Sequence, residues 1–213
     1  MKQSKPTLIE YVGPAGAGKT TLANQKIDEL RAKGYKVIAY NFYQKNIFCL
    51  LQDVLIFPFF LSKKFSDIKL FNSFLNHDSK HFYSRYHVCI LVFFTIFKLS
   101  RLYKRAQKKK YSFVIIDQGL VQQVCSLMTD EYIDTFPFQE DSFYFRHITY
   151  FELIRVRVPV LTAINRRKKR LSKIDVGKTK EEMIIAHKKF CQNLDLIQSS
   201  LESKIKFQTI KNP

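Results

Sequence analysis

The chain has 213 residues, 46% of them hydrophobic, which is enough for one domain with a real core. Lysine and arginine number 36 against 18 aspartate and glutamate, and the formal charge of +18 asks for an anionic partner: nucleotide, nucleic acid or acidic membrane. Four cysteines without C-x-x-C spacing indicate neither a zinc site nor a disulfide framework and fit a reducing, cytoplasmic setting, and the apolar runs fall short of the roughly 20 residues that span a bilayer, so no transmembrane segment is expected.

In chain order, Met1 to Pro6 leads straight into an apolar, β-branched run at 7–12, so no signal peptide is expected and the first strand is placed there. Residues 19–32 carry apolar positions at Leu22, Ala23, Ile27 and Leu30, a helix that stops at Gly34. A second strand at 36–41 is followed by an insertion over about 45–110 with about three helices, one of them spanning 81–108. Its aromatic runs at 57–61 and 93–97 read as helix packing, and the cations at 104–110 as a solvated helix end where positive charge suits the dipole.

Strands are then expected at 112–117, 153–158 and 204–211, and helices at 120–128, 159–171 and 180–202. The last helix has an apolar stripe of Met183, Ile184, Ala186, Phe190, Leu194, Ile197 and Leu201 for packing on the sheet. This alternation predicts a three-layer α/β/α fold with a mostly parallel, five-stranded sheet.

The residues at 13–20 are Gly13, Pro14, Ala15, Gly16, Ala17, Gly18, Lys19 and Thr20, which is G-x-x-x-x-G-K-[ST] between a strand and a helix, the context that a phosphate-binding P-loop requires. Its glycines let the backbone turn amide N–H groups toward phosphate oxygens, and the helix that follows adds its positive end. Lys19 is placed to reach the β- and γ-phosphates and Thr20 to ligate Mg²⁺; Thr21 is a weaker candidate for the α-phosphate. A second Gly-Lys-Thr at 177–179 has Ser172 where the first glycine belongs and no strand before it, so it reads as a decoy.

Phe113, Val114, Ile115 and Ile116 form an apolar strand that delivers Asp117 at its carboxyl end, where P-loop proteins place a metal-positioning aspartate. Gln118 and Gly119 follow, with no water-activating glutamate. Transfer to an acceptor is therefore favoured over hydrolysis.

Taken together, the P-loop, the Asp117-Gln118-Gly119 turn and the cluster Arg166, Arg167, Lys168, Lys169 and Arg170 resemble the thymidylate kinase-like branch of P-loop nucleoside and nucleotide kinases. The resemblance covers most of the chain outside the insertion. It implies a single kinase-like domain over 1–213, a lid at about 166–179, ATP and Mg²⁺ as cofactors, Arg166 stacked on the adenine base, and Arg170 stabilising charge on the transferring phosphoryl group. It also places Arg85 and Arg101 where related kinases hold the acceptor. Two departures stand out: Gln118 replaces the family's arginine, and Tyr40 to Gln44 has no charged residue after the second strand.

The expected activity is transfer of a γ-phosphoryl group to a nucleoside, nucleotide or similar small acceptor by Lys19, Asp117, Arg166 and Arg170, with Asp117 as metal ligand or as base. Two other readings stay open: a polynucleotide 5′-end kinase, which the charge would suit, and a non-catalytic nucleotide-binding or interaction protein. A homodimer is also open.

Overall fold

The computed structural model describes residues 5–40, 82–127, 151–169, 178–201 and 205–213, with backbone alone at 82–93, 127 and 200. Among them the strands are β1 (Thr7–Val12), β2 (Val37–Tyr40), β3 (Phe113–Ile116), β4 (Phe151–Arg157) and β5 (Lys206–Lys211). The helices are α1 (Lys19–Ala32), α2 (Phe82–Lys108), α3 (Leu120–Leu127), α4 (Val160–Lys169) and α5 (Lys180–Leu201). All the strands are parallel, in the order β2-β3-β1-β4-β5.

Central β1 is covered on both faces, which is why it reads as an apolar run broken only by Glu10. Its side chains alternate between two cores. Leu8 and Val12 pack with residues of α2, α3 and α5, including Leu99, Val121 and Leu194; Ile9 and Tyr11 pack with Ala23, Ile27 and Leu30 of α1. This is the expected α/β/α layering. It brings the carboxyl ends of β1, β3 and β4 to one edge of the sheet, where ligands of such folds collect.

Most expected elements appear with ends shifted by a residue or two. The stripe on α5 needs one correction: Ala186 is exposed and His187 is buried in its place, because the 3.6-residue period carries the core face through Met183, His187, Phe190, Leu194, Ile197 and Leu201. The free cysteines also differ in burial, with Cys125 buried and Cys191 only partly so. The other insertion helices, the aromatic run at 57–61 and residues 41–44 lie outside the described residues. No helix among the described residues is long and apolar enough to cross a membrane.

Helices α1 and α2 finish in the same way. Gly34 N–H donates to the Arg31 carbonyl (2.9 Å) and Tyr35 N–H to that of Leu30 (3.1 Å); Lys110 N–H donates to Gln107 (3.0 Å) and Tyr111 N–H to Ala106 (2.9 Å). Both are Schellman closures with a left-handed residue, Gly34 at φ 80° and Lys110 at φ 55°. Ser112 N–H then donates to the Lys36 carbonyl (2.8 Å) and ties the two ends together where β2 and β3 begin.

Candidate functional site

The loop between β1 and α1 has the backbone its motif demands. Gly16 and Gly18 both stand at φ 85°, a region that L side chains rarely enter. No side chain caps α1 and its first turn has no carboxylate, so the positive helix end is left for a ligand anion. No described residue accepts from the N–H groups of Ala15, Gly16, Gly18 or Thr20. Pro14 is buried beneath the loop and Ala15 exposed at its tip.

Lys19 is buried, and its ammonium donates to the carbonyls of Gly13 (2.7 Å) and Pro14 (3.1 Å), which arch over it. Across the edge, the Thr20 hydroxyl donates to Asp117 Oδ2 at 3.0 Å. The other carboxylate oxygen, Oδ1, is buried with no partner among the described residues. A buried oxygen left this way is costly, and a cation placed between Thr20 and Asp117 is the chemistry that would satisfy it. Lys19, Thr20 and Asp117, 97 positions apart at the extremes of their one hydrogen bond, are thus brought together as their motifs predict.

Arg166 reaches the same edge from α4, donating to the Pro213 carbonyl beside Gly18. Thr21 is exposed on α1 and makes no described contact with the loop. Arg170 lies outside the described residues, as does the Arg85 side chain, and the Arg101 guanidinium lies 5.6 Å from the centre of the Phe97 ring. The second Gly-Lys-Thr has a purely local role. Thr179 caps α5, its hydroxyl accepting from Glu182 N–H (3.1 Å) while the Glu182 carboxylate accepts from Thr179 N–H (2.7 Å), a reciprocal capping box.

Three further residues, Glu10, Gln122 and Asn212, hold the site, and sequence reasoning missed them. Glu10 is fully buried on β1, where its Oε1 accepts from Gln122 N–H (2.9 Å) at the start of α3, and Gln122 Oε1 in turn accepts from Gly13 N–H (3.1 Å). Burial pushes the Glu10 carboxyl up to about 7, against the opposing pull of the α3 amides. Gly119 is required beside it, since a Cβ there would strike the Glu10 carboxylate. The third is Asn212, which extends the sheet by donating from its backbone to the Arg157 carbonyl (2.8 Å) and from its side chain to the Ala17 carbonyl (2.7 Å). Only Glu10 had a sequence signal: a charge inside an apolar strand pattern.

Beside Pro14 a cleft of about 390 Å³ opens between α5 and the end of β4, with Arg157, His187 and Gln192 among its walls. Burial there, helped by the charge of Arg167, pulls the His187 imidazole below its usual range.

No protein-family model matches the sequence, and no curated protein does. Among solved structures the chain is similar to deoxyadenosine kinase from M. mycoides with bound dATP, at 16% identity and a TM-score of 0.52, over 96% of this chain and 91% of that one. The same enzyme with the products dCMP and a flexible dCDP bound gives 17% identity and 0.52 over 96% and 90%. Thymidylate kinase from Ehrlichia chaffeensis gives 12% and 0.52 over 99% and 89%. The fold is the one that these P-loop kinases share.

Proposed function

We propose that this chain is a phosphotransferase that moves the γ-phosphoryl group of ATP, with Mg²⁺, to a nucleoside, nucleotide or similar small acceptor. The observation that carries this reading is the partly buried Thr20–Asp117 hydrogen bond at 3.0 Å, with the buried Asp117 Oδ1 unpartnered among the described residues beside a P-loop in which the amides of Ala15, Gly16, Gly18 and Thr20 meet no described acceptor. The shared fold with a deoxyadenosine kinase and a thymidylate kinase supports an acceptor of that chemical class. The region at 1–213 works as one kinase-like domain, with 166–179 as its lid and 45–110 as its helical insertion. Its free, buried Cys125 suits a reducing cytoplasm.

In this reading the open P-loop amides of Ala15, Gly16, Gly18 and Thr20 hold the phosphates, and Lys19 exchanges the carbonyls of Gly13 and Pro14 for phosphate oxygens. Thr20 and Asp117 would hold Mg²⁺. An ion bound there would supply positive charge to neutralise that developing on the phosphate oxygens. Arg166 packs against the base, and Arg166 with Arg170 supplies positive charge to the transferring group. No carboxylate follows Asp117 to activate water, which directs transfer to an acceptor.

ATP consumption measured against a panel of nucleosides and nucleotides tests this. Acceptor-dependent turnover is expected, and Asp117→Asn should lower kcat by about 100-fold or more while the protein stays folded. Binding of ATP without turnover for any acceptor would instead favour the nucleotide-binding alternative, to which Gln118 in place of the family's arginine points.

A further inference from the structure

The amino edge of the sheet lies a strand's length from the P-loop, about 20 Å for six residues. Here α1 and α2 both end, one on each face of the sheet, and the segments that follow them are joined by the Ser112 to Lys36 hydrogen bond. Between them runs an open groove of about 540 Å³ lined by Arg31, Tyr35, Lys36, Val37, Lys109 and Tyr111. Its walls hold three cations and two phenol rings, and no carboxylate. Lys108 and Lys110 flank Lys109, Arg105 lies in the last turn of α2, and all are exposed.

None of the side chains of Arg31, Lys36, Arg105, Lys108, Lys109 and Lys110 pairs with a described residue. Glu29, in the last turns of α1, is already held by Lys26 (3.0 Å) and Lys33 (2.6 Å). A helix dipole accounts for a cation or two in each last turn. It does not account for cations brought together from two helices, because like charges gathered in one groove repel and weaken the fold unless an anion joins them.

We propose that this groove binds single-stranded nucleic acid, independently of the P-loop. Phosphates would lie against Arg31, Lys36 and Lys109, and an unpaired base against Tyr35 or Tyr111, the combination of cations and aromatic faces that single strands use. A duplex keeps its base faces stacked away from such rings. A lipid surface fits less well, since of the large exposed apolar side chains among the described residues, Tyr35, Leu161, Ile185 and Leu196, only Tyr35 belongs to the groove.

The test is fluorescence anisotropy of a labelled oligothymidylate with the full chain as salt is varied. Three phosphate contacts predict a log–log slope of about −2, hence about 20-fold weaker binding between about 50 and about 200 mM salt. The double variant Lys36→Glu and Lys109→Glu should flatten that slope by at least about 1.4. Tyr35→Leu, which keeps an apolar side chain against Phe113, should weaken binding about fivefold with an unchanged slope. Lys19→Ala and saturating ATP should leave the oligonucleotide bound, so failure of the kinase reading and failure of this one are separate results. Absence of binding at low salt overturns the proposal. So does displacement by ATP, equal affinity for a duplex, equal affinity for phosphatidylserine vesicles, or insensitivity to the charge-reversal pair when circular dichroism shows that the pair is folded.

Discussion

The two edges of the sheet are built by opposite means. At the carboxyl edge polar groups are tied across the whole chain: Gly13 to Gln122 over 109 positions, Gln122 to Glu10 over 112, Ala17 to Asn212 over 195. At the amino edge the long-range bonds join backbone to backbone, as from Ser112 to Lys36, beside two local helix closures, and the charged side chains face solvent. Cross-ties fix donors in place before a compact polyanion arrives, so the cost of ordering them is met in folding. Unpaired cations on helix ends give a diffuse field that tolerates many phosphate arrangements.

The sharpest way to break the comparison is to titrate the buried tie. Glu10 keeps its proton up to about pH 7 in the folded chain, against 4.5 when unfolded, so between these values the native state holds more protons than the unfolded one. Stability contributed by the neutral carboxyl is then complete below about 4.5 and is lost as pH rises through about 7, amounting to about 3 kcal/mol. Denaturant unfolding across this range should show the fall. Glu10→Gln retains an oxygen to accept from Gln122 N–H and should remove most of the fall. A slope unchanged in the variant would mean that Glu10 titrates normally.

These ties also explain what could be read in advance. The P-loop and Asp117 are local patterns: a strand, a glycine-rich turn and a helix leave their periods in consecutive residues, and the Thr20 to Asp117 contact follows from where such strands must end. Glu10, Gln122 and Asn212 act through partners more than a hundred positions away, and no period or spacing encodes those pairs. Hydropathy favours Ala186 over His187, whereas helical spacing from Met183 selects position 187. In the sequence Lys110 is visible only as a charge; its left-handed backbone depends on α2 closing at Ala106 and Gln107.

Gln122 is the next place to press. Gln122→Leu has nearly the same size but leaves Gly13 N–H without its acceptor, at a cost of about 2 kcal/mol in a buried setting. If Gln122 positions the loop, the dissociation constant for ATP should rise about tenfold, beyond any loss of global stability. ATP titration together with urea unfolding separates the two effects. Lower stability with unaltered ATP affinity would reduce Gln122 to a packing residue.

The smallest expected effect lies at the other edge, where two helices solve one geometric problem with different residues. Gly34 and Lys110 both occupy the left-handed position of a Schellman closure, but only lysine has a Cβ that crowds its own carbonyl there. Lys110→Gly should therefore stabilise the fold by about 1 kcal/mol, raising Tm by about 2–4 °C for a domain of this size. Gly34→Ala, the reverse change at the matching position of α1, should destabilise by a similar amount. Thermal melting reads both, and a Lys110→Gly protein that melts no higher than the parent would mean that α2 does not close this way. Lys110 is exposed and unpaired among the described residues, so the strain it carries brings no contact within the chain. What it adds is charge beside Lys109, and the same variant should flatten the salt dependence of oligonucleotide binding by about 0.7 if Lys110 meets a phosphate. A backbone that gives up stability to keep a cation at a position suited to glycine fits the proposed anion-binding edge.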